Sequence, residues 1–164
     1  MSQLAIKKIV KPIVFFDGEC ILCNRGVQFI IKRDATSAST ANKIEFCRVQ
    51  SMTGKNLLEK YGKTQQEVLD RFVILDTNDK IYSASTAALR LAKYLPFPYP
   101  LLYGFIIVPP FIRNAIYDFV ATNRYGWFGK YETCMMYRKD LMQRFVDQEE
   151  IDQSSKNKGA PSFE

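Results

Sequence analysis

The hydrophobic and polar positions of the chain alternate between strand-like and helix-like patterns up to about residue 95. Residues 9–16 are almost continuously apolar and β-branched, which predicts a strand covered on both faces. Cys23 and Val27 then begin an apolar stripe at helical spacing, so a helix that starts near Cys20 should bury this face. The chain is therefore expected to open with a buried strand that leads directly into an amphipathic helix.

The later elements follow from the same patterns. Apolar runs of strand length lie at residues 44–49, 71–75 and 80–82. Side chains that can cap a helix N-terminus are Thr53, Thr64 and either Ser83 or Ser85. The four turn-forming residues 76–79 join the last two strands, which predicts an antiparallel hairpin. The order strand, helix, strand, helix, hairpin, helix predicts an α/β fold.

A strongly aromatic segment, residues 94–128, follows these elements. Its closely spaced prolines block the continuation of the preceding helix, and residues 111–122 predict a new one. The inward face of this helix is expected to hold Ala115, Ile116, Phe119 and Val120. We interpret the aromatic side chains as core, and any apolar remainder as a surface that could dock a partner or a membrane.

We expect a single domain over residues 1–146. It includes a helical extension from about residue 96, with a last helix at residues 137–146. Residues 147–164 are rich in Gln, Ser, Lys, Asp and Glu and lack the apolar content needed to pack, so we expect a disordered tail there.

Charge and hydropathy limit the classes of partner and the cellular compartment that we expect. The formal net charge is +6, but the Lys and Arg residues are scattered, so we expect no nucleic-acid partner. The N-terminal residues lack the apolar stretch and cleavage site of a secretory signal. The most apolar run, residues 101–112, is shorter than the ~20 residues that a transmembrane helix needs. We therefore expect a cytoplasmic protein whose cysteines rest mostly reduced.

Cys20 and Cys23 form a Cys-x-x-Cys pair at the predicted start of the first helix. Residues three apart in a helical turn lie within disulfide reach. Backbone N–H groups and the helix dipole favour a thiolate at Cys20, and such cysteines have pKa values of about 3.5–7.5. Cys23 continues onto the apolar face, so we expect it to be the more buried sulfur. Cys20 is thus predicted to be the attacking thiolate and Cys23 the resolving thiol.

Asp17 joins the two cysteines as a candidate catalytic residue. It precedes Gly18, and Asp-Gly is a common turn pair, so one role is to shape the turn after the strand. The other role is to accept a proton from the thiols or to orient them. A carboxylate at this place would raise the pKa of a neighbouring thiol and so oppose the effect of the helix terminus.

The chain holds four cysteines and no histidine, which excludes His-activated nucleophiles and imidazole-ligated metal sites. We expect no cofactor and no metal. The alternatives are a non-catalytic interaction module and an all-thiolate metal site made of Cys20, Cys23 and Cys134, with or without Cys47. Cys134 is either a third redox thiol that exchanges with Cys20 or a buried structural cysteine. Cys47 is expected in the core.

Residues 17–24, Asp-Gly-Glu-Cys-Ile-Leu-Cys-Asn, resemble the Asp-Gly-x-Cys-x-x-Cys motif of the DCC family of predicted thiol–disulfide oxidoreductases. Further matches lie at residues 85–87, 113–117 and 123–130, the last followed by Cys134. The resemblance spans roughly residues 13–134. It implies a thioredoxin-like βαβ–ββα core with a C-terminal helical extension, which agrees with the order of elements derived above.

The resemblance also implies a reaction. A Cys20–Cys23 dithiol would exchange with a disulfide-containing protein or a small thiol substrate, and an unidentified reductant would recycle it. Thioredoxin-like enzymes usually carry a cis-proline just before the third strand, where residues 68–71 of this chain contain no proline. Arg71 at that place is either a cation near Cys20 or a surface residue.

Overall fold

The computed structural model describes residues 11–34, 44–130, 144–150 and 153. The strands in these ranges are β1 (Ile13–Phe16), β2 (Glu45–Arg48), β3 (Val73–Leu75) and β4 (Ile81–Ser83). The α-helices are α1 (Ile21–Asp34), α2 (Met52–Lys60), α3 (Gln65–Asp70), α4 (Ala84–Ala92) and α5 (Pro110–Phe128). A 3-10 helix, Tyr99–Ile107, lies between α4 and α5. The predicted order of elements is therefore confirmed.

The strands form one mixed sheet in the order β2-β1-β3-β4. β1 pairs with β2 in parallel and with β3 antiparallel, and β3 pairs with β4 antiparallel as predicted for the hairpin. A βαβ unit and a ββα unit thus meet between β1 and β3. This topology is consistent with the thioredoxin-like fold that the sequence predicted.

Strand β1 is buried on both faces, as its continuous hydrophobicity predicted. Val14 and Phe16 belong to an apolar cluster with residues of α1 and α4. Ile13 and Phe15 belong to a second cluster on the other face, with residues of α2 and α3. The end of β1, where the cysteine motif follows, is therefore held by packing from both sides of the sheet.

Helix α2 begins two residues earlier than the sequence suggested. Ser51, rather than Thr53, is its N-cap: the Ser51 Oγ accepts the Gly54 N–H at 3.0 Å. The same hydroxyl donates to the Arg48 carbonyl at 2.8 Å, which ties the start of α2 to the end of β2. The capping box predicted at Thr64 is confirmed at the start of α3.

Gly54 is required where α2 approaches β2. A Cβ at this position would lie 2.2 Å from the Arg48 carbonyl oxygen, which is a backbone atom. We expect Gly54→Ala to lower the free energy of unfolding by at least ~2 kcal/mol, because backbone must move to relieve the overlap. The matched control is Gly26→Ala inside α1, where a Cβ meets nothing within 4 Å and should stabilise by about 0.5–1 kcal/mol. Urea denaturation of both variants measures the difference, and equal stabilities would contradict this packing.

The expectation that residues 94–128 form core is wrong for most of the segment. Leu95 is buried in the core, and Tyr94 and Tyr99 pack partly buried against it. The 3-10 helix has no buried residue, and Arg124 is the buried residue of α5. The four side chains expected to face inward are exposed: Ala115, Ile116, Phe119 and Val120. The reason is that α5 attaches through polar groups on its other face. The Asn114 amide oxygen accepts the Ser85 hydroxyl at 2.5 Å, and the Tyr117 hydroxyl accepts the Phe72 N–H at 2.6 Å.

The chain beyond residue 143 returns to the sheet. Phe145 is buried against Phe16 and Phe46, with ring centroids 6.1 and 5.9 Å away. Asp147 is buried and pairs with Arg48 at 2.7 Å. Asp147 is thus packed, in contrast to the loose tail expected from residue 147, whereas Gln148 and Glu149 are exposed. Cys134 and the predicted helix at residues 137–146 lie outside the described residues, apart from positions 144–146.

Candidate active site

Asp17 is buried in the turn that leads from β1 to α1. Its Oδ1 accepts the Glu19 N–H at 2.9 Å and the Gln50 Nε2–H at 2.7 Å. The amide oxygen of Gln50 accepts the Gly18 N–H at 3.2 Å. These bonds give Asp17 the turn-shaping role, the first of the two roles that the sequence suggested.

Asn24 closes the same turn from within α1. Its buried side-chain amide donates to the Gly18 carbonyl at 2.8 Å and to the Cys20 carbonyl at 2.9 Å. Sequence reasoning did not identify Asn24 or Gln50. Each acts on backbone groups that adopt their positions only in the folded turn, so no periodic pattern marks either residue.

The two cysteines of the motif interact directly. Cys20 immediately precedes α1, and its Sγ accepts the Cys23 N–H at 3.3 Å. The backbone is held on either side by bonds from Cys20 N–H to the Asp17 carbonyl, 3.3 Å, and from Asn24 N–H to the Cys20 carbonyl, 3.0 Å. Both cysteines are free thiols in the structure. The pair is thus a preformed dithiol at a helix N-terminus.

The solvent exposure of the two cysteine residues is the reverse of the expectation. Cys20 has no exposed surface, whereas Cys23 is partly exposed. The Cys20 backbone also forms an isolated antiparallel bridge with Lys130, just beyond α5. Cys23 is the less buried residue because it lines a cavity between α1 and α5.

This cavity has a volume of about 110 Å³ and is mostly apolar. Its apolar lining comes from β1, α1, α3 and α5. The polar or ionisable side chains in the lining are Asp17, Cys23, Tyr117 and Arg124. The cavity therefore brings Cys23 next to both a carboxylate and a guanidinium group.

The surroundings of the two thiols shift their pKa values in opposite directions. The pKa of Cys20 falls from 9.0 to about 6, because its sulfur accepts hydrogen bonds from the Cys23 side chain and backbone, with a further contribution from the Arg124 charge. The pKa of Cys23 rises well above its ordinary value, because its thiol donates to Cys20 and is buried beside the Cys20 charge. Negative charge is thus held on Cys20 and the proton on Cys23.

Arg124 supplies the positive charge of the site. It is buried in α5, its Nη2 lies 4.0 Å from the Asp17 Oδ2, and the same nitrogen donates to the Leu69 carbonyl. Arg71, the cation considered from the sequence, is instead half-exposed and pairs with Asp118 at 2.7 Å. The surface interpretation of Arg71 is therefore confirmed.

Tyr125 connects α5 to the turn. Its hydroxyl donates to the Asp17 Oδ2 and accepts a bond from the Arg124 Nη2 at 3.0 Å. Burial and the Asp17 carboxylate raise the pKa of Tyr125 to about 12, so the phenol stays protonated at neutral pH. In the sequence, residues 124–125 belong to a stretch that resembles the family, but no pattern there predicts their role. No local signal in the sequence distinguishes Arg124 from Arg113, the other cation of α5.

Cys47 lies in the core, as predicted. It is fully buried in β2, and burial, together with the Asp147 charge, raises the pKa of its thiol to about 12. Across the ranges that the structure describes, no three His, Cys, Asp or Glu side chains are grouped as metal ligands would be. The all-thiolate alternative requires Cys134, which lies outside those ranges.

The pH dependence of Cys20 alkylation follows from its pKa. Because the thiolate is the reactive form, we expect the rate of modification by iodoacetamide to rise tenfold per pH unit below about pH 6 and to level off above it. Cys23 should stay unmodified over this range because its pKa is raised. Quenched alkylation followed by peptide mass spectrometry measures both sites. A midpoint near 9, or faster modification of Cys23, would contradict the charge distribution.

The whole arrangement falls within a known family. A family model described as DCC1-like thiol-disulfide oxidoreductase matches residues 14–130. The chain belongs to this family. The match begins in β1 and ends just after α5, so it contains both cysteines of the motif as well as Asp17 and Arg124. The resemblance drawn from the motif is thereby confirmed.

Two relatives support the membership in the DCC1-like family. The protein YuxK of Bacillus subtilis (strain 168) is 39% identical over 140 residues, which cover 85% of this chain and 97% of YuxK. The DCC family protein At1g52590, chloroplastic, of Arabidopsis thaliana is 38% identical over 125 residues, which cover 76% of this chain and 69% of that protein. No solved structure matches the chain.

The expected compartment stays a prediction. The name of the Arabidopsis relative places that DCC family protein in the chloroplast. Among the helices that the structure describes, none has both the length and the apolar character to cross a membrane.

Proposed function

We propose that this chain exchanges a Cys20–Cys23 dithiol with the disulfide of a protein or of a small thiol compound. The observation that carries the proposal is the bond from the Cys23 N–H to the Cys20 Sγ at the start of α1, in a site where the pKa of Cys20 falls to about 6. A thiol with this pKa is largely ionised at neutral pH, and the thiolate is the form that attacks a disulfide. Membership of the DCC1-like family supports the same class of reaction.

In the first step, the Cys20 thiolate attacks one sulfur of the substrate disulfide. A bond forms between the Cys20 Sγ and that sulfur, the substrate S–S bond breaks, and the other substrate sulfur leaves as a thiolate. In the second step, Cys23 gives its proton to the released thiolate and attacks the Cys20 Sγ, which expels the second substrate thiolate. The substrate gains two electrons, and the protein gains the Cys20–Cys23 disulfide. An external dithiol, or two monothiols, reverses both steps and restores the protein.

Access to Cys20 requires a local change. In the described conformation Cys20 has no exposed surface, and its backbone forms an isolated bridge with Lys130. We assign the attack to Cys20, because ionisation decides which sulfur is the nucleophile, and infer that this bridge opens when a substrate approaches. A single isolated bridge, in contrast to a strand ladder, separates with the loss of few hydrogen bonds.

Asp17 and Arg124 act as positioning residues in this proposal. The Asp17 carboxylate binds backbone and side-chain donors of the turn and raises the pKa of Cys20, whereas the Arg124 charge lowers it. Because Asp17 and Arg124 form a buried ion pair, the positive charge partly offsets the effect of the carboxylate on the pKa of Cys20. The two charges therefore adjust the thiolate fraction of Cys20, which depends first on the hydrogen bonds from Cys23.

A single-turnover experiment tests the proposed function. Fully reduced protein is mixed with one equivalent of a short peptide disulfide, and the products are separated and weighed. We expect one peptide disulfide reduced per protein molecule, with the loss of two hydrogens mapped to the peptide that contains Cys20 and Cys23. The Cys47→Ser variant is the control and should behave like the wild type. A protein that stays reduced, or a disulfide that maps to other cysteines, would overturn the proposal.

A further inference from the structure

The segment after α4 is nearly free of acidic residues. Between Asp79 and Glu132, the only acidic residue of the sequence is Asp118. Residues 94–112 carry no charged side chain of either sign. The carboxylate of Asp118 pairs with Arg71 at 2.7 Å, so its negative charge is largely offset. This part of the chain therefore presents basic and neutral groups.

The same segment exposes a large apolar surface, which we name the apolar face. It consists of the 3-10 helix Tyr99–Ile107 and the outward side of α5. An α-helix turns by 100° per residue. On this basis the outward side of α5 covers about half of the helix circumference and contains no charged residue. Its large side chains, all exposed, are Phe111, Ile112, Ile116, Phe119, Val120 and Trp127. An exposed apolar patch of this extent marks an interaction surface rather than ordinary solvent exposure.

Basic side chains lie against aromatic rings at the edge of the apolar face. The Arg33 guanidinium lies 5.7 Å from the centroid of the Tyr99 ring. The Lys93 ammonium lies 4.8 Å from the centroid of the Tyr103 ring. At the end of α5, the Lys130 ammonium is likewise placed 4.1 Å from an aromatic ring, that of Tyr125. The apolar face is thus bordered by positive charge.

We propose that the apolar face binds the surface of a lipid bilayer that contains anionic lipids. Aromatic and aliphatic side chains bordered by Lys and Arg are the composition of helices that lie in the membrane interface, and the basic border is attracted to anionic headgroups. Docking of a second copy would instead bring two basic borders together, which like-charge repulsion opposes. The positive border therefore favours an anionic surface. This proposal does not depend on the redox function.

Trp127 allows a direct test because it is the only tryptophan of the chain and is 56% exposed on the apolar face. Its fluorescence is recorded while the full-length reduced protein is titrated with vesicles. One set is phosphatidylcholine with about one third phosphatidylglycerol, and the other is phosphatidylcholine alone. We expect a blue shift with the anionic vesicles, and binding weaker by ~10-fold or more with the neutral vesicles or at high salt.

A pair of variants separates the apolar face from exposed apolar residues in general. Ile107 and Ile116 are 89% and 65% exposed, so Ile107→Gln with Ile116→Gln should leave the fold intact and reduce vesicle binding by at least ~10-fold. The control is Met52→Gln, at a side chain 65% exposed on α2, which should bind like the wild type. Far-UV circular dichroism confirms that each variant is folded.

Three outcomes would overturn the proposal. The first is the absence of a spectral shift with anionic vesicles. The second is unchanged binding of the double variant. The third is a shift that follows protein concentration without vesicles and accompanies dimer formation on gel filtration, which would assign the apolar face to a second copy of the chain.

Discussion

Replacing Cys23 with serine is expected to trap Cys20 in a mixed disulfide with the substrate. Cys23 is the sulfur that would expel the substrate thiolate from Cys20, and a serine hydroxyl does not perform this step. Because the partners are one helical turn apart, the resolving step in the wild type is intramolecular and fast. We expect the lifetime of the mixed disulfide to rise at least ~100-fold in Cys23→Ser.

The matched variant is Cys20→Ser. It should form no mixed disulfide, and its rate of dithiol–disulfide exchange should fall by at least ~1,000-fold. Each variant is incubated with a disulfide-containing peptide, and the adduct is mapped by mass spectrometry after acid quenching. Cys47→Ser should match the wild type, because the Cys47 thiol is buried and its pKa is raised to about 12. If the Cys20→Ser variant formed an adduct at Cys23 as fast as the Cys23→Ser variant forms one at Cys20, Cys20 would not be the attacking sulfur.

Replacing Arg124 with methionine is expected to destabilise the fold and to raise the pKa of Cys20. The Arg124 side chain is 8% exposed and its partner Asp17 is 3% exposed, so the substitution leaves a buried carboxylate without its cation. Removing one partner of a buried ion pair lowers the free energy of unfolding by about 3–5 kcal/mol. Because other hydrogen-bond donors to Asp17 remain, we expect a loss of ~2–4 kcal/mol. The lost positive charge should raise the pKa of Cys20 by ~0.5–1 unit.

Arg71→Met is the control for Arg124→Met, because it removes the same charge from an exposed pair with Asp118. Its effect on the free energy of unfolding should stay within ~0.5 kcal/mol. Urea denaturation gives the stabilities, and the pH midpoint of Cys20 alkylation gives the pKa. Arg124→Lys should restore most of the shifted midpoint because it restores the charge. Equal effects of Arg124→Met and Arg71→Met on both readouts would refute the assigned role.

The sheet and its helices could be predicted because their signals are local. The continuous apolar run of β1, the turn formers before β4 and the capping box at Thr64 each specify their own element. Residues 94–128 could not be predicted in the same way. Hydrophobicity indicates burial only when a partner surface is present, and α5 is held by polar contacts of Asn114 and Tyr117 instead.

The candidate site was predictable only in part, for the same reason. The spacing of Cys20 and Cys23 fixes two sulfurs one helical turn apart, and the Asp-Gly pair fixes the turn before them. Arg124 lies more than a hundred residues away and reaches the turn only after the fold forms. The bridge between Cys20 and the distant Lys130 likewise forms only in the folded chain, so no local pattern encodes it.

We propose that Cys20 and Cys23 form a reversible disulfide, and the reduction potential of this pair is the most direct test. The protein is equilibrated in graded glutathione buffers, its free thiols are trapped, and the oxidised fraction is fitted. We expect one two-electron transition between about −270 and −120 mV, because a thiolate stabilised at Cys20 favours the reduced form. Cys20→Ser should abolish the transition. If no Cys20–Cys23 disulfide forms even in the most oxidising, metal-free buffer, the proposed dithiol–disulfide exchange is contradicted.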